Sequence, residues 1–189
     1  MDQFIKYLLQ FGNLNEPQIA LISSKGEELE LCKDDFYWEA GKPVKQIGFL
    51  IAGVIRVFYH NNKGEEITRY FIDENHLVLS GSTVDEAYTP SEYLCAVTDC
   101  KLVTFTKQDW KEISDTITGW DHLVQKVVAT HHSEKVSRRS ELVSQDGTER
   151  YLDFIRKFPT LVNRVPLSYI ASYLGITQSS LSRIRKNIR

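Results

Sequence analysis

The sequence predicts an α+β chain: an N-terminal β-roll of jelly-roll type, a long helix, and a C-terminal all-α unit with a helix-turn-helix. Three observations carry this. Short runs of β-branched and aromatic residues recur between turn signals from about residue 29 to 106. From about Thr118 to Val143 there is no Pro, and no Gly after Gly119. Residues 150–189 hold eight Lys and Arg against Asp153 alone, a net of +7, which leaves −9 on the remainder of a chain that totals −2. The expected boundaries are 1–117, 118–144 and 145–189.

With 189 residues, 42% of them apolar and 25% charged, the chain falls near the globular average. That excludes a disordered tail, a collagen-like fibre and a disulfide-dense mini-protein. An acidic body with a basic end points to two parts, the second with an anionic partner. Cys32, Cys95 and Cys100 cannot all pair with one another, no CxxC occurs, and no Cys/His group has zinc spacing. Free, buried thiols in a reducing compartment are expected. No apolar run approaches the ~18 residues of a membrane span. Asp2 and Lys6 make the N-terminus read as a short amphipathic helix rather than a signal peptide, so the expectation is a soluble cytoplasmic protein without a membrane partner.

Residues 3–24 read as helical, with apolar Phe4, Tyr7, Leu8 and Phe11, then Ile19 and Ile22. The strand runs are Leu29–Cys32, Phe36–Trp38, Ile47–Ile51, Val54–Tyr59, Ile67–Ile72, Leu77–Leu79, Tyr93–Val97 and Leu102–Thr106. His60 to Gly64 reads as a hairpin turn, because Gly64 takes positive φ cheaply. Eight short strands at fairly even spacing imply a small barrel or jelly roll. Asp109–Ile113 reads as a short helix. The long stretch 118–143 carries apolar Trp120, Leu123, Val124, Val127, Val128 and Val136, a stripe that fades among Glu134, Lys135, Arg138 and Arg139. A helix of that length, roughly 37 Å at 1.5 Å per residue, cannot bury both sides against one small roll. It needs a second helix, from a second copy of the chain or from elsewhere in this one. Ser144 to Gly147 is a break, and Thr148–Phe158 is a further helix ending at Pro159.

The most informative stretch is 165–186. Pro166 suits a helix start, where its missing N–H has no intrahelical acceptor anyway. Ile170, Tyr173 and Leu174 make one apolar face, and Ala171 is small enough for a second helix to cross closely. Gly175 supplies a left-handed residue to end the first helix. Thr177 is placed to cap the second, and Leu181 and Ile184 return that helix to the core. This is a helix-turn-helix pattern. Its outer face carries Thr177, Gln178, Ser179, Ser182, Arg183 and Lys186, donors and acceptors suited to base edges and phosphates. Gln178, Ser179 and Arg183 are the candidate base contacts; Thr177, Ser182 and Lys186 lie nearer the DNA backbone. An ordinary αα-hairpin with a solvated face is the alternative. The Gly175 and Thr177 signals and the local +7 weigh against it.

With these residues in hand, the sequence resembles the Crp/Fnr family of bacterial transcription regulators over nearly its whole length. Gly41, the run Ile47 to Phe58 and Gly64 to Ile67 look like that family's β-roll with its glycine turns. The long helix looks like its dimerisation helix. Asp146, Thr148 and Arg150 stand where a family motif opens the DNA-binding domain, and 165–186 is the most specific match. The resemblance implies a cyclic-nucleotide-binding-like sensor domain over 1–117, a dimerisation helix over 118–144 and a DNA-binding domain over 145–189. It implies a homodimer on a pseudo-palindromic duplex, with RNA polymerase as a further partner and either an unknown small effector or none.

There are departures from the family. Its cyclic-nucleotide members carry a Gly-Glu pair and then Arg-Ser around the phosphate. The first position falls near Leu79-Ser80-Gly81, with no acid, and the second near Ser91-Glu92-Tyr93, with an anionic Glu92 and no Arg. A cyclic phosphate there meets repulsion, so cyclic AMP and GMP are not expected to bind. Ser80, Gly81, Ser91, Glu92 and Tyr93 remain the candidate effector pocket; with Tyr88 and Thr89 they would take an uncharged or cationic molecule, and solvated turn residues are the plainer reading. Three scattered thiols do not supply an iron–sulfur site. His76 as a lone haem ligand is weaker than His76 as a turn residue, and His131 and His132 point to different helix faces. No cofactor is expected. With Arg189 the last residue of the sequence, the β-hairpin wing common after the family's recognition helix is not expected.

No GxGxxG, P-loop, HExxH or GxSxG occurs, so an enzyme is not expected. A cupin-like metalloenzyme would need clustered ligands, and no HxH exists. A β-roll that docks on another protein without binding DNA is the other alternative.

Overall fold

The computed structural model describes residues 1–79, 89–141 and 145–188, with side chains for all but 131–141. Two short helices open the chain, α1 (Asp2–Leu8) and α2 (Glu16–Lys25). They occupy the stretch 3–24 that reads as helical in the sequence. It is interrupted because Asn15 caps α2: its side chain accepts the Gln18 N–H at 3.0 Å, while the Gln18 side chain accepts the Asn15 N–H at 2.9 Å.

Eight strands follow among the described residues: β1 (Glu27–Leu31), β2 (Phe36–Trp38), β3 (Gln46–Ala52), β4 (Ile55–His60), β5 (Glu66–Ile72), β6 (His76–Val78), β7 (Tyr93–Ala96) and β8 (Cys100–Thr106). They form two four-stranded antiparallel sheets, in the orders β1-β8-β3-β6 and β2-β7-β4-β5. The eight expected strands are all present, Phe36–Trp38 as expected and the others shifted by one or two residues at one or both ends. His60 ends β4 instead of sitting in the hairpin turn, because it still pairs with Glu66; the turn belongs to Asn61, whose side chain accepts the Lys63 and Glu65 N–H groups.

Between the sheets lie Trp38, Leu50, Ile55, Val57, Leu94, Ala96 and Leu102. A second core sits under the helices: Phe4, Leu8, Ile22, Ile47, Phe49, Val103 and Phe105 meet Trp110 and Ile113 of α3 (Lys107–Thr116). The first sheet is therefore covered on both sides. That is why β3 reads as a continuous apolar run rather than an alternation. Gly48 is required in that run, since a Cβ there would stand 2.6 Å from the Tyr37 hydroxyl.

The long helix α4 (Trp120–Glu141) starts in the same core through Trp120, Leu123 and Val127, with Trp110 and Trp120 ring to ring at 5.2 Å. This stretch of the expected stripe packs within the chain. The side chains of His131, His132 and Val136 lie outside the described residues.

The remaining helices are α5 (Gly147–Lys157), α6 (Leu167–Leu174) and α7 (Gln178–Asn187). Their core, built on Tyr151, Phe154, Phe158, Leu161, Ile170, Ala171, Leu174 and Leu181, also takes in Val54, Phe71 and Val97 of the roll. The C-terminal helices are thus docked on the second sheet, at its β5 edge.

The three thiols are free, but only Cys100 is buried; Cys95 is half-buried, and Cys32, at a turn after β1, is exposed. Burial, reinforced by the charge of Asp34, pushes the Cys95 thiol up to about 11. It stays protonated and unreactive at neutral pH. Among the described residues no helix is long and apolar enough to cross a membrane, and no group of His, Cys, Asp or Glu is placed to hold a metal ion.

Candidate nucleic-acid interface

The C-terminal unit is assembled from its caps inward. Asp146 caps α5: one side-chain oxygen accepts the Thr148 and Glu149 N–H groups at 2.7 and 2.9 Å, and Glu149 reaches back to the Asp146 N–H at 3.0 Å. Pro166 caps α6 without a donor to satisfy. Gly175 ends α6 in the left-handed region at φ 67°, ψ 31°. Thr177 caps α7 by accepting the Ser180 N–H at 3.1 Å. The chain between the two helices is thereby fixed at both ends.

Arg150 fastens this turn to α5. Its Nη1 donates to the Leu174 carbonyl at 2.9 Å and its Nε to the Gln145 carbonyl at 3.0 Å. A cation at the end of α6 meets carbonyls with no partner in the helix and the negative end of the helix dipole. In the sequence Arg150 is visible only as part of a family-like motif. Its clamping role needs the fold, because Arg150 and Leu174 are 24 residues apart.

α7 buries one side only. Leu181 is fully buried and Ile184 half-buried against α5 and α6. The opposite side presents Thr177, Gln178, Ser179, Arg183 and Lys186 to solvent, with Ser182 at its margin. All six predicted contact residues thus lie along one helix and its cap. The Thr177 hydroxyl, engaged with Ser180, lies 3.0 Å from that of Ser179 and orients it. Among the described residues Arg183, Arg185 and Lys186 have no acidic partner, whereas Arg156 pairs with Asp153 and Arg164 with Glu74. α7 therefore carries three cations with no acidic partner among the described residues.

Of the candidate effector residues, Thr89, Ser91, Glu92 and Tyr93 fall within the described residues. Ser80, Gly81 and Tyr88 lie outside the described residues; Thr89 and Ser91 are exposed. Glu92 is ion-paired with Arg69 of β5, a partner that sequence order did not reveal. Tyr93 lies on the outer face of the second sheet, stacked on Phe58 at 5.2 Å and edge-on to Phe36 at 5.9 Å. Its neighbour Leu94 takes the inner face, as strand alternation requires. His76 starts β6 with Nδ1 3.0 Å from the Asp73 carboxylate.

A β-roll carrying a docked helix-turn-helix is a fold known from solved structures, and it is the fold of Crp/Fnr family transcription regulators. FixK2 from Bradyrhizobium japonicum superposes with a TM-score of 0.75 at 13% identity, covering 86% of this chain and 84% of that one. The c-di-GMP responsive global regulator CLP of Xanthomonas campestris gives 0.72 at 14% identity, over 92% and 91% of the two chains. A protein of Eubacterium rectale assigned to the Crp/Fnr family of transcriptional regulators gives 0.72 at 18% identity, over 92% and 83%. At these identities the likeness is one of fold. No protein-family model and no curated protein matches the sequence.

Proposed function

We propose that the chain is a homodimeric, sequence-specific DNA-binding regulator of the Crp/Fnr type, with 1–117 as sensor domain, 118–144 as dimerisation helix and 145–189 as DNA-binding domain. The observation that carries this is the one-sided burial of α7, which leaves Thr177, Gln178, Ser179, Arg183 and Lys186 on a free, unneutralised face. An α-helix of this kind fits the major groove, with Gln178, Ser179 and Arg183 toward base edges and Thr177, Ser182 and Lys186 toward phosphates. Two copies joined along α4 read half-sites about 34 Å apart. RNA polymerase is the further partner such a regulator would meet.

Cyclic AMP is not the effector in this reading. Glu92 opposes a phosphate, and Arg69, the nearby cation, is already held by Glu92. Isothermal calorimetry with cyclic AMP should show no heat, and tight binding would overturn this part.

The deciding measurement is fluorescence anisotropy with duplex DNA selected from a random pool, at graded salt. Log affinity should fall linearly with log salt, because each neutralised phosphate releases counterion. An affinity that is indifferent to both salt and sequence would exclude DNA recognition and favour a protein-docking roll.

A further inference from the structure

Arg56 is the anomaly of the roll. It stands in β4 within the apolar run Val54 to Phe58, yet only 3% of its surface is exposed. Its guanidinium lies between two rings, 4.4 Å from the centroid of Phe58 and 3.9 Å from that of Tyr169. Nε donates to the Thr68 hydroxyl at 2.8 Å and Nη1 to Glu66 at 2.5 Å. Phe58, Thr68 and Glu66 belong to the roll; Tyr169 belongs to α6. A buried charge is retained only where partners of this quality surround it.

The second contact lies beside it. β5 is an edge strand, with one row of backbone groups left unpaired by the sheet. Ser172 of α6 fills two of those positions. Its hydroxyl accepts the Thr68 N–H at 2.9 Å and donates to the Glu66 carbonyl at 3.3 Å. The same two β5 residues that hold Arg56 by their side chains therefore hold α6 by their backbone.

We propose that Arg56 is a positioning residue for DNA recognition: clasped between Phe58 and Tyr169, it seats α6 on the edge of β5 and thereby fixes the direction in which α7 points. The inference rests on the DNA-binding reading above. α6 docks through Tyr169 and Ser172 while the exposed side of α7 stays free, so the seated arrangement is competent to read DNA. A dimer must present two such helices at one fixed separation. A loosened seat costs little at a single half-site and much at a pair.

The test uses the full chain and an Arg56→Met variant, which keeps the bulk and removes the cation, with Ser172→Ala as the milder companion. The probes are a full site selected from random DNA by the unaltered chain, and the same duplex with one arm scrambled. With the seat lost, the preference for full over half site should fall about tenfold while half-site affinity changes by less than about twofold, the separation expected when only relative placement is disturbed. An unchanged full-to-half ratio in Arg56→Met would overturn the proposal, even if its melting temperature fell, because that pattern marks a merely structural role. Amide exchange at Thr68 reads the seat without DNA. It should quicken about tenfold in both variants, since the bond to Ser172 is the one that opens; an unchanged rate in Arg56→Met would also overturn it. If the unaltered chain binds no DNA, the functional reading fails, and the positioning role with it. The Thr68 rate then decides separately whether Arg56 seats α6.

Discussion

Arg150 donates to the carbonyl of Leu174 at 2.9 Å, and so closes the C-terminal end of α6 from a different helix. The same guanidinium holds the Gln145 carbonyl at 3.0 Å. Replacing Arg150 with Ala strands two acceptors, one of them at a helix end. A loss of about 1.5–3 kcal/mol is expected, the range for hydrogen bonds to a charged group. Lys lacks the planar fork that presents Nε and Nη1 to two separate acceptors, so Arg150→Lys should recover less than half of it. Urea unfolding of the two variants against the unaltered chain checks both statements.

The turn positions make a graded series. Gly53 sits at φ +106°, and a Cβ there would lie 2.5 Å from the Cys100 sulfur and 2.6 Å from the Asp99 carbonyl oxygen. Gly175 at φ +67° would place a Cβ 3.5 Å from Arg150, an ordinary contact, and Gly64 at φ +77° would meet nothing. Gly64→Ala and Gly175→Ala should therefore cost only the left-handed penalty of about 1–2 kcal/mol. Gly53→Ala adds a clash with backbone and should exceed about 3 kcal/mol. Equal melting temperatures for the three variants would contradict the ordering.

How far the sequence disclosed this molecule follows the range of the forces involved. Strands, the two caps of the helix-turn-helix and the outward face of α7 depend on neighbours within a few residues. Gly175, Thr177 and Leu181 announced them. The helical stretch expected over 3–24 divides for an equally local reason, the Asn15–Gln18 cap. What escaped was long-range. Arg56 reaches Tyr169, Ser172 reaches Thr68, Arg69 reaches Glu92, and no periodicity links such positions. A hint was present in Arg56 itself, a charge inside a strand otherwise apolar. Which sheet face Tyr93 takes is likewise not legible, because alternation fixes only that Tyr93 and Leu94 point opposite ways.

Glu74 ties the β5–β6 turn to the C-terminal unit. Arg164 forks onto it at 2.6 and 3.1 Å, and the Gly53 N–H donates to it at 2.9 Å. Burial alone would push this carboxyl up. The bonds from Arg164 and from backbone N–H groups outweigh burial and hold it below its ordinary value of 4.5. A carboxyl with a lowered pKa in the folded chain stabilises it above the unfolded value and loses that contribution as pH falls through the folded one. Thermal stability of the unaltered chain should thus decline as pH drops below about 4.5, and Glu74→Gln should lack this part of the decline. At pH 7 the variant should be less stable by about 1 kcal/mol, since the pair is only partly shielded from solvent. Melting curves from pH 3 to 7 give both quantities, and parallel curves would remove Glu74 from the account.

Arg183 and Lys186 stand three residues apart on the free side of α7, and the DNA-binding reading gives them different work. Arg183, assigned to a base edge, contributes to discrimination. Arg183→Ala should cost about 1–3 kcal/mol on the selected site and relax the preference at one base-pair position, with little loss on unrelated DNA. Lys186, assigned to a phosphate, contributes without regard to sequence. Lys186→Ala should weaken binding to selected and unrelated duplexes alike, and lower the salt slope by about 1. Ser182, at the margin of the same face, should follow Lys186 more weakly, because a neutral hydroxyl releases no counterion on meeting a phosphate. The contrast is measurable in one set of salt titrations on two duplexes. Should both substitutions shift both duplexes equally, α7 would be acting as a charged strip along the backbone. Should neither shift either duplex, the reading of this helix as a groove-inserted element would be wrong.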